Sequence, residues 1–167
     1  MKATLMTAAG SAGVLQLHEI DKPKLPSPHH LRVKLAAAGV NPIDTKLRTK
    51  PVYFPDKLPA ILGCDGAGIV ESAGNAVTHF KVGDAVHFNN GGIGDEPGCY
   101  AEYTTLHEEY CAASPANISL QDSAALPLVL ITAKGWRRVW KQKKSSSINS
   151  RISYKRSRSG RMATVQT

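Results

Sequence analysis

LPAILGCDGAGIVESAGNAVTHFKVGDAVHF, residues 58–88, is the densest apolar stretch of this chain, and Gly63, Gly66 and Gly68 fall within six residues of one another inside it. Glycines so placed predict bends, bulges or close backbone approach rather than an uninterrupted strand. GCDGAG is not followed by a helical pattern, so it does not read as a phosphate cradle, which needs a helix N-terminus behind the glycines. Asp65 within it braces the turn. Val82-Gly83-Asp84 is a turn feeding a strand over AVHF.

Upstream, LRVKLAAAGV sets Leu31, Val33 and Leu35 against Arg32 and Lys34 with period two, the clearest strand signal in the chain. Asn41-Pro42 ends it, because a residue before proline is pushed out of the helical region. A short helical turn over IDTKLRTK follows, closed by Pro51. The first twenty residues read as two strands around a glycine turn, and Pro23, Pro26 and Pro28 form a stiff connection. Downstream, NNGGIGDEPGC is a loop and AEYTTL a strand. Ser119 caps a helix that starts near Leu120 and is expected to run through AALP. Many short strands with few helices predict a mainly β, barrel-like domain.

The chain changes character after Ala133. Residues 1–133 hold all thirteen acids and ten of the 21 Lys/Arg, a net charge of −3, whereas residues 134–167 hold eleven Lys/Arg, no acid and seven serines. The reading is a folded domain over 1–133 and a basic tail over 134–167, expected to be disordered because high charge with few core-forming residues does not offset chain entropy. Trp136 and Trp140 among those basic residues leave a nucleic-acid or acidic-surface role open, although no nucleic-acid-binding module is recognisable. Three widely spaced cysteines make no disulfide framework. No signal peptide is evident, and no run approaches the ~18–20 apolar residues of a membrane-spanning helix. A cytoplasmic protein with reduced thiols is expected.

AAAGVNPIDTKLR, LPAILGCDGAGIVESAG, FKVGDAVHF, YAEYTTL and AALPLVLITA occur in this order at compact spacing. Together they resemble the N-terminal GroES-like domain of the medium-chain dehydrogenase/reductase superfamily, in its zinc-independent quinone oxidoreductase-like branch. The resemblance covers about residues 1–133. It implies a β-barrel domain that faces a Rossmann domain across a cleft, with hydride passing from NADPH to a quinone or an enone or enal. The Rossmann half is missing from what the motifs cover. After Ala133 the only glycines are Gly135 and Gly160, so no G-x-G-x-x-G can be written. A shifted reading frame or a truncated gene would produce such a break, and a functional basic tail is the competing explanation. NADPH is therefore expected in the complete family enzyme but not bound tightly by this chain alone. A separate Rossmann-domain partner remains open, as does a non-catalytic partner-binding role.

The resemblance places Asn41 and Asp44 in the cleft, near nicotinamide and substrate. An Asn amide can bond a ribose, a carboxamide or a substrate carbonyl without titrating, while the alternative is that Asn41 stabilises its turn and Asp44 caps the short helix. Tyr53 stands where relatives place an aromatic near the substrate, and a phenol can donate to a carbonyl oxygen as hydride arrives; an ordinary packed aromatic is the other reading. Arg48 is a candidate for a cofactor phosphate. Thr132 resembles a position that approaches the nicotinamide, a role that requires a Rossmann partner. Zinc relatives carry a Cys where Asn41 stands and a His-Glu pair where Cys64-Asp65 stands. Cys64, Cys99, Cys111 and His87 match no zinc spacing, and no metal is expected.

Overall fold

The period-two run around Val33 forms the second of five strands in an antiparallel sheet. This computed structural model describes residues 1–50, 57–91 and 96–135. Its elements are β1 (Lys2–Met6), β2 (Leu15–Glu19), β3 (His30–Gly39), α1 (Pro42–Thr49), β4 (Ala60–Ile61), β5 (Asp65–Ala73), β6 (Ala85–Asn89), β7 (Tyr103–His107), β8 (Cys111–Ala113) and α2 (Leu120–Ala124), followed by α3, helical over 127–135. One sheet runs β7-β3-β5-β6-β8, and a smaller one runs β2-β1-β4. The class is mainly β with short helices, as expected. Residues Met1–Val129 make one compact unit, and of the remainder, Leu130–Thr167, only the helical residues 130–135 are described. Tyr53 and the tail from Trp136 onward, with its expected disorder, lie outside the described residues.

The alternation read in the sequence is the alternation built. Leu31 and Val33 are fully buried while Lys34 is exposed. With Val70, Val86, Phe88, Cys99 and Leu106 they form one core cluster. Met6, Leu47, Ala60 and Leu62 form another, beneath α1 and the smaller sheet. Side chains of this size contribute about 1.5–3 kcal/mol each when fully buried, so these two clusters carry the fold.

The glycine block has the bulges and close backbone approach expected of it, although the strand is not interrupted. β5 is one continuous nine-residue strand. The irregularity lies in its register with β3, which slips between Arg32 and Val33 and again between Leu35 and Ala37. One bulge leaves Ala36 unpaired and the other Glu71, so the glycines need not bend the strand. They let backbones approach: a Cβ on Gly68 would collide with the Lys34 carbonyl oxygen and lie 2.9 Å from Leu35 Cα.

The helix after Ser119 is also shorter than expected. Ser119 Oγ accepts the Asp122 N–H at 3.1 Å, but α2 stops at Ala124 and α3 begins at Pro127. Proline has no N–H to continue α2 and disfavours helix in the residue before it, yet it suits the first position of a new helix. Seven residues, 96–102, join the two sheets. Ala3 bridges Ala101, Thr4 N donates to the Tyr100 carbonyl at 2.7 Å, and Glu102 N donates to the Lys2 carbonyl at 3.0 Å.

Candidate functional site

Asp65, the first residue of β5, lies between Gly39 of β3 and Asn89 of β6 in the sheet register. It is fully buried, a costly place for a carboxylate unless its oxygens are bonded. Here Asn89 Nδ2 donates to Oδ1 at 2.6 Å and Asn41 Nδ2 to Oδ2 at 2.9 Å. The Leu128 N–H is shared between the two oxygens, at 3.1 and 3.2 Å. Leu128 belongs to the first turn of α3, whose N–H groups have no partner inside the helix and whose positive end favours an anion. Gly39 makes room, since a Cβ there would lie 2.7 Å from the Ala124 carbonyl and 2.9 Å from Asp65 Cβ.

Asn41 occupies the N-cap position of α1 with Pro42 behind it, and Asp44 is the acid of the first turn. Asp44 Oδ2 accepts the Asn41 backbone N–H at 2.7 Å, one arm of a capping box. The same oxygen accepts the Tyr100 hydroxyl at 3.0 Å. Asp44 Oδ1 is buried without a hydrogen-bond partner among the described residues. Tyr100 arrives on the 96–102 segment, and Gly63 leaves room for its ring close to the backbone. Gly63 has φ +95, and a Cβ there would be 2.6 Å from the ring. Cys64 and Cys99 complete the cluster, and Asn41 Nδ2 also donates to Cys64 Sγ at 3.8 Å.

Burial pushes the Cys64 thiol up to about 11, helped by the charges of Asp44 and Asp65. Burial raises Cys99 as well, with Cys64, Asp65 and Asp44 adding to it. Burial and then the Asp44 charge hold the Tyr100 phenol above its ordinary range. Near neutrality both thiols and the phenol thus keep their protons. In that state they can donate hydrogen bonds and are poor nucleophiles.

The predicted site residues divide. Asn41 and Asp44 come together in this cluster, where both the cap and the polar junction use them. Arg48 Nη1 donates to the Gly10 carbonyl, and Gly10 N returns a bond to the Arg48 carbonyl at 3.0 Å. Thr132 lies exposed on α3. Tyr53 lies outside the described residues; the aromatic that the described residues bring to the cluster is Tyr100. Tyr100 and Asn89 were missed in the sequence. Tyr100 sits in the quoted YAEYTTL motif, and Asn89 follows AVHF, but only the strand register sets it opposite Asp65. No three His, Cys, Asp or Glu side chains converge as a metal-holding group among the described residues. The donor set fits zinc poorly, since position 41 offers a neutral amide whose N–H is already given to Asp65. His87 Nδ1, on β6 opposite Ala67 and Ala112, is buried without a partner among the described residues.

Residues 27–116 match the family described as the alcohol dehydrogenase GroES-like domain. A zinc-type alcohol dehydrogenase-like protein of Staphylococcus epidermidis is 41% identical over 108 residues, 65% of this chain and 31% of that protein. A quinone oxidoreductase of Pseudomonas aeruginosa is 37% identical over 133 residues, 80% and 39% of the two chains. An NADPH-dependent alkenal/one oxidoreductase of Arabidopsis thaliana is 37% identical over 139 residues, 80% and 36%. Among solved structures, an alcohol dehydrogenase superfamily protein of Novosphingobium aromaticivorans superposes with TM-score 0.73 at 36% identity, over 80% of this chain and 40% of that one. Escherichia coli quinone oxidoreductase complexed with NADPH gives 0.66 at 32%, over 75% and 37%. The chain spans less than half the length of each of these proteins. No described helix is long and apolar enough to cross a membrane.

Proposed function

Because the chain belongs to the alcohol dehydrogenase GroES-like domain family of the medium-chain dehydrogenase/reductase superfamily, we propose that it is the acceptor-side portion of an NADPH-dependent reductase of quinones and enones, working in the cytoplasm without a catalytic metal. The observation that carries this reading is the Asn41–Asp65 hydrogen bond at 2.9 Å. It closes with the protein's own groups the junction of positions 41, 64 and 65, where the zinc members of the superfamily hold a metal. The names of the relatives supply the substrate class, since they include a quinone oxidoreductase and an alkenal/one oxidoreductase. Asn41, Asp44 and Tyr100 border the ligand cleft on this reading, and Tyr53 is a substrate contact.

NADPH does not fit this chain alone. Its 167 residues contain no glycine-rich phosphate loop, and the Arg48 guanidinium is engaged at Gly10. Arg48 and Thr132 would meet the cofactor only beside a Rossmann domain. Much of the catalysis of hydride transfer is the positioning of donor against acceptor, so the chain by itself is expected to be inactive.

Two titrations of the pure 167-residue protein test this. NADPH fluorescence is expected to show no saturable change. 1,4-Naphthoquinone is expected to shift the amide resonances of residues 41–44 and 98–100 and leave those of β8 in place. Tight NADPH binding would overturn the incompleteness, and quinone shifts absent or spread over the whole domain would overturn the acceptor-side assignment.

A further inference from the structure

Which end of the Asn41 amide is available to a ligand is decided by Asp65. A carboxylate facing only N–H groups acts as an acceptor, and Asp65 faces three: Asn89 Nδ2, Asn41 Nδ2 and Leu128 N. Asn41 must therefore turn its NH2 end inward. One of its two hydrogens goes to Asp65 Oδ2 at 2.9 Å and the other lies toward Cys64 Sγ at 3.8 Å. Both donors of the amide are then used. The amide oxygen lies toward the first turn of α1 in the capping-box arrangement but makes no cap hydrogen bond there, so it has capacity for a ligand donor.

We infer that Asp65 is a positioning residue that sets the polarity of Asn41, so that position 41 accepts a hydrogen bond from a ligand N–H or O–H and does not donate one to a ligand carbonyl. This rests on the reading above only in taking position 41 to border the ligand. It narrows the three partners open to the Asn41 amide in sequence terms to two, a carboxamide N–H or a hydroxyl. Asn89 shares the task, since its 2.6 Å bond holds Oδ1 and leaves Oδ2 to face Asn41.

The polarity is tested on the unliganded wild-type chain, so a failure here is separate from a failure of the quinone titration. The Asn41 side-chain NH2 protons are expected to exchange with solvent at least tenfold more slowly than those of the exposed Asn117. In Asp65→Asn the new side chain offers one acceptor oxygen and one N–H2 to two amides that both donate to the carboxylate, so either Asn41 or Asn89 inverts and the slow exchange of at least one of the two is expected to be lost. Unprotected Asn41 protons in the wild type would overturn the inference even if the variant fails to fold, and unchanged protection of both Asn41 and Asn89 in a folded variant would overturn it too. The ligand half uses a matched pair of probes, benzamide and N,N-dimethylbenzamide, which differ in their N–H donors. Benzamide is expected to shift the resonances of Asn41 at concentrations at least tenfold below those its dimethyl analogue requires. Equal effects, or none from either, would overturn the acceptor role.

Discussion

Replacing Tyr100 by Phe removes one oxygen atom and asks what the phenol does for Asp44. The hydroxyl donates to Asp44 Oδ2 at 3.0 Å, and among the described residues the only other donor on that carboxylate is the Asn41 backbone N–H. Its second oxygen already lacks a partner in a residue that is 3% exposed. A hydrogen bond to a charged group contributes about 1.5–3 kcal/mol, against about 0.5–1.5 for a neutral pair. Because Tyr100 is only half-buried, the lower part of the charged range applies, about 1.5–2 kcal/mol. For a chain of this size that lowers Tm by roughly 3–8 °C. The assay is urea unfolding of wild type, Tyr100→Phe, Asp44→Asn and the double variant, as a double-mutant cycle. In the Asp44→Asn background the loss of the hydroxyl should cost about 1 kcal/mol or less, since the acceptor is then neutral. A cost below about 0.5 kcal/mol in the wild-type background, or equal costs in both backgrounds, would refute the charge-assisted bond.

Three further outcomes follow from other parts of the molecule. Gly68→Ala forces a methyl against the backbone of Lys34 and Leu35, and should destabilise by at least about 1–3 kcal/mol in urea melts, whereas Gly83→Ala meets no neighbouring atom and pays only for its φ of +96. Stability should fall as pH rises above 9: Cys64, Cys99 and Tyr100 keep their protons in the folded state, while the unfolded chain releases them from about pH 9 for thiols and pH 10 for the phenol. A urea midpoint that is flat from pH 8 to about 10.5 would contradict that sign. A thiol-specific disulfide reagent at pH 8 should find Cys64 and Cys99 unreactive until the protein unfolds; Cys111 is more accessible, but burial pushes its thiol up to about 12, so it too should react slowly, and a fast-reacting native Cys64 would refute its protonated, buried state.

Local pattern carried much of this fold. The alternation of Leu31, Val33 and Leu35, the Asn41-Pro42 stop and the Ser119 cap depend on a few neighbouring residues and were legible in the sequence. The continuity of β5 was not, because the irregularity its glycines suggested went into bulges shared with β3, and a register belongs to two strands at once. The end of α2 at Ala124 was legible in principle, since Pro127 was in view and its missing N–H sets the break. The site divides in the same way. Asn41 and Asp44 stand together on one turn and were singled out. Asn89 and Tyr100 lie 24 and 56 residues from their partners Asp65 and Asp44, and only the assembled sheets bring them there.

The seam between Lys2–Thr4 and Tyr100–Glu102 bears on how the domain is made. Its bonds include one from Lys2 N to the Glu102 carboxylate, across a hundred residues of chain. A ribosome adding about 5–20 residues per second takes several seconds or more to cover that distance. During that time β1 can pair with β2, and its Leu5–Met6 end with β4 once residue 61 is made, but the Lys2–Thr4 stretch of its outer edge has nothing to bond. The first strand to be synthesised is thus among the last to be sealed, and the growing chain carries an open, pairing-competent edge until residue 102 has cleared the exit tunnel.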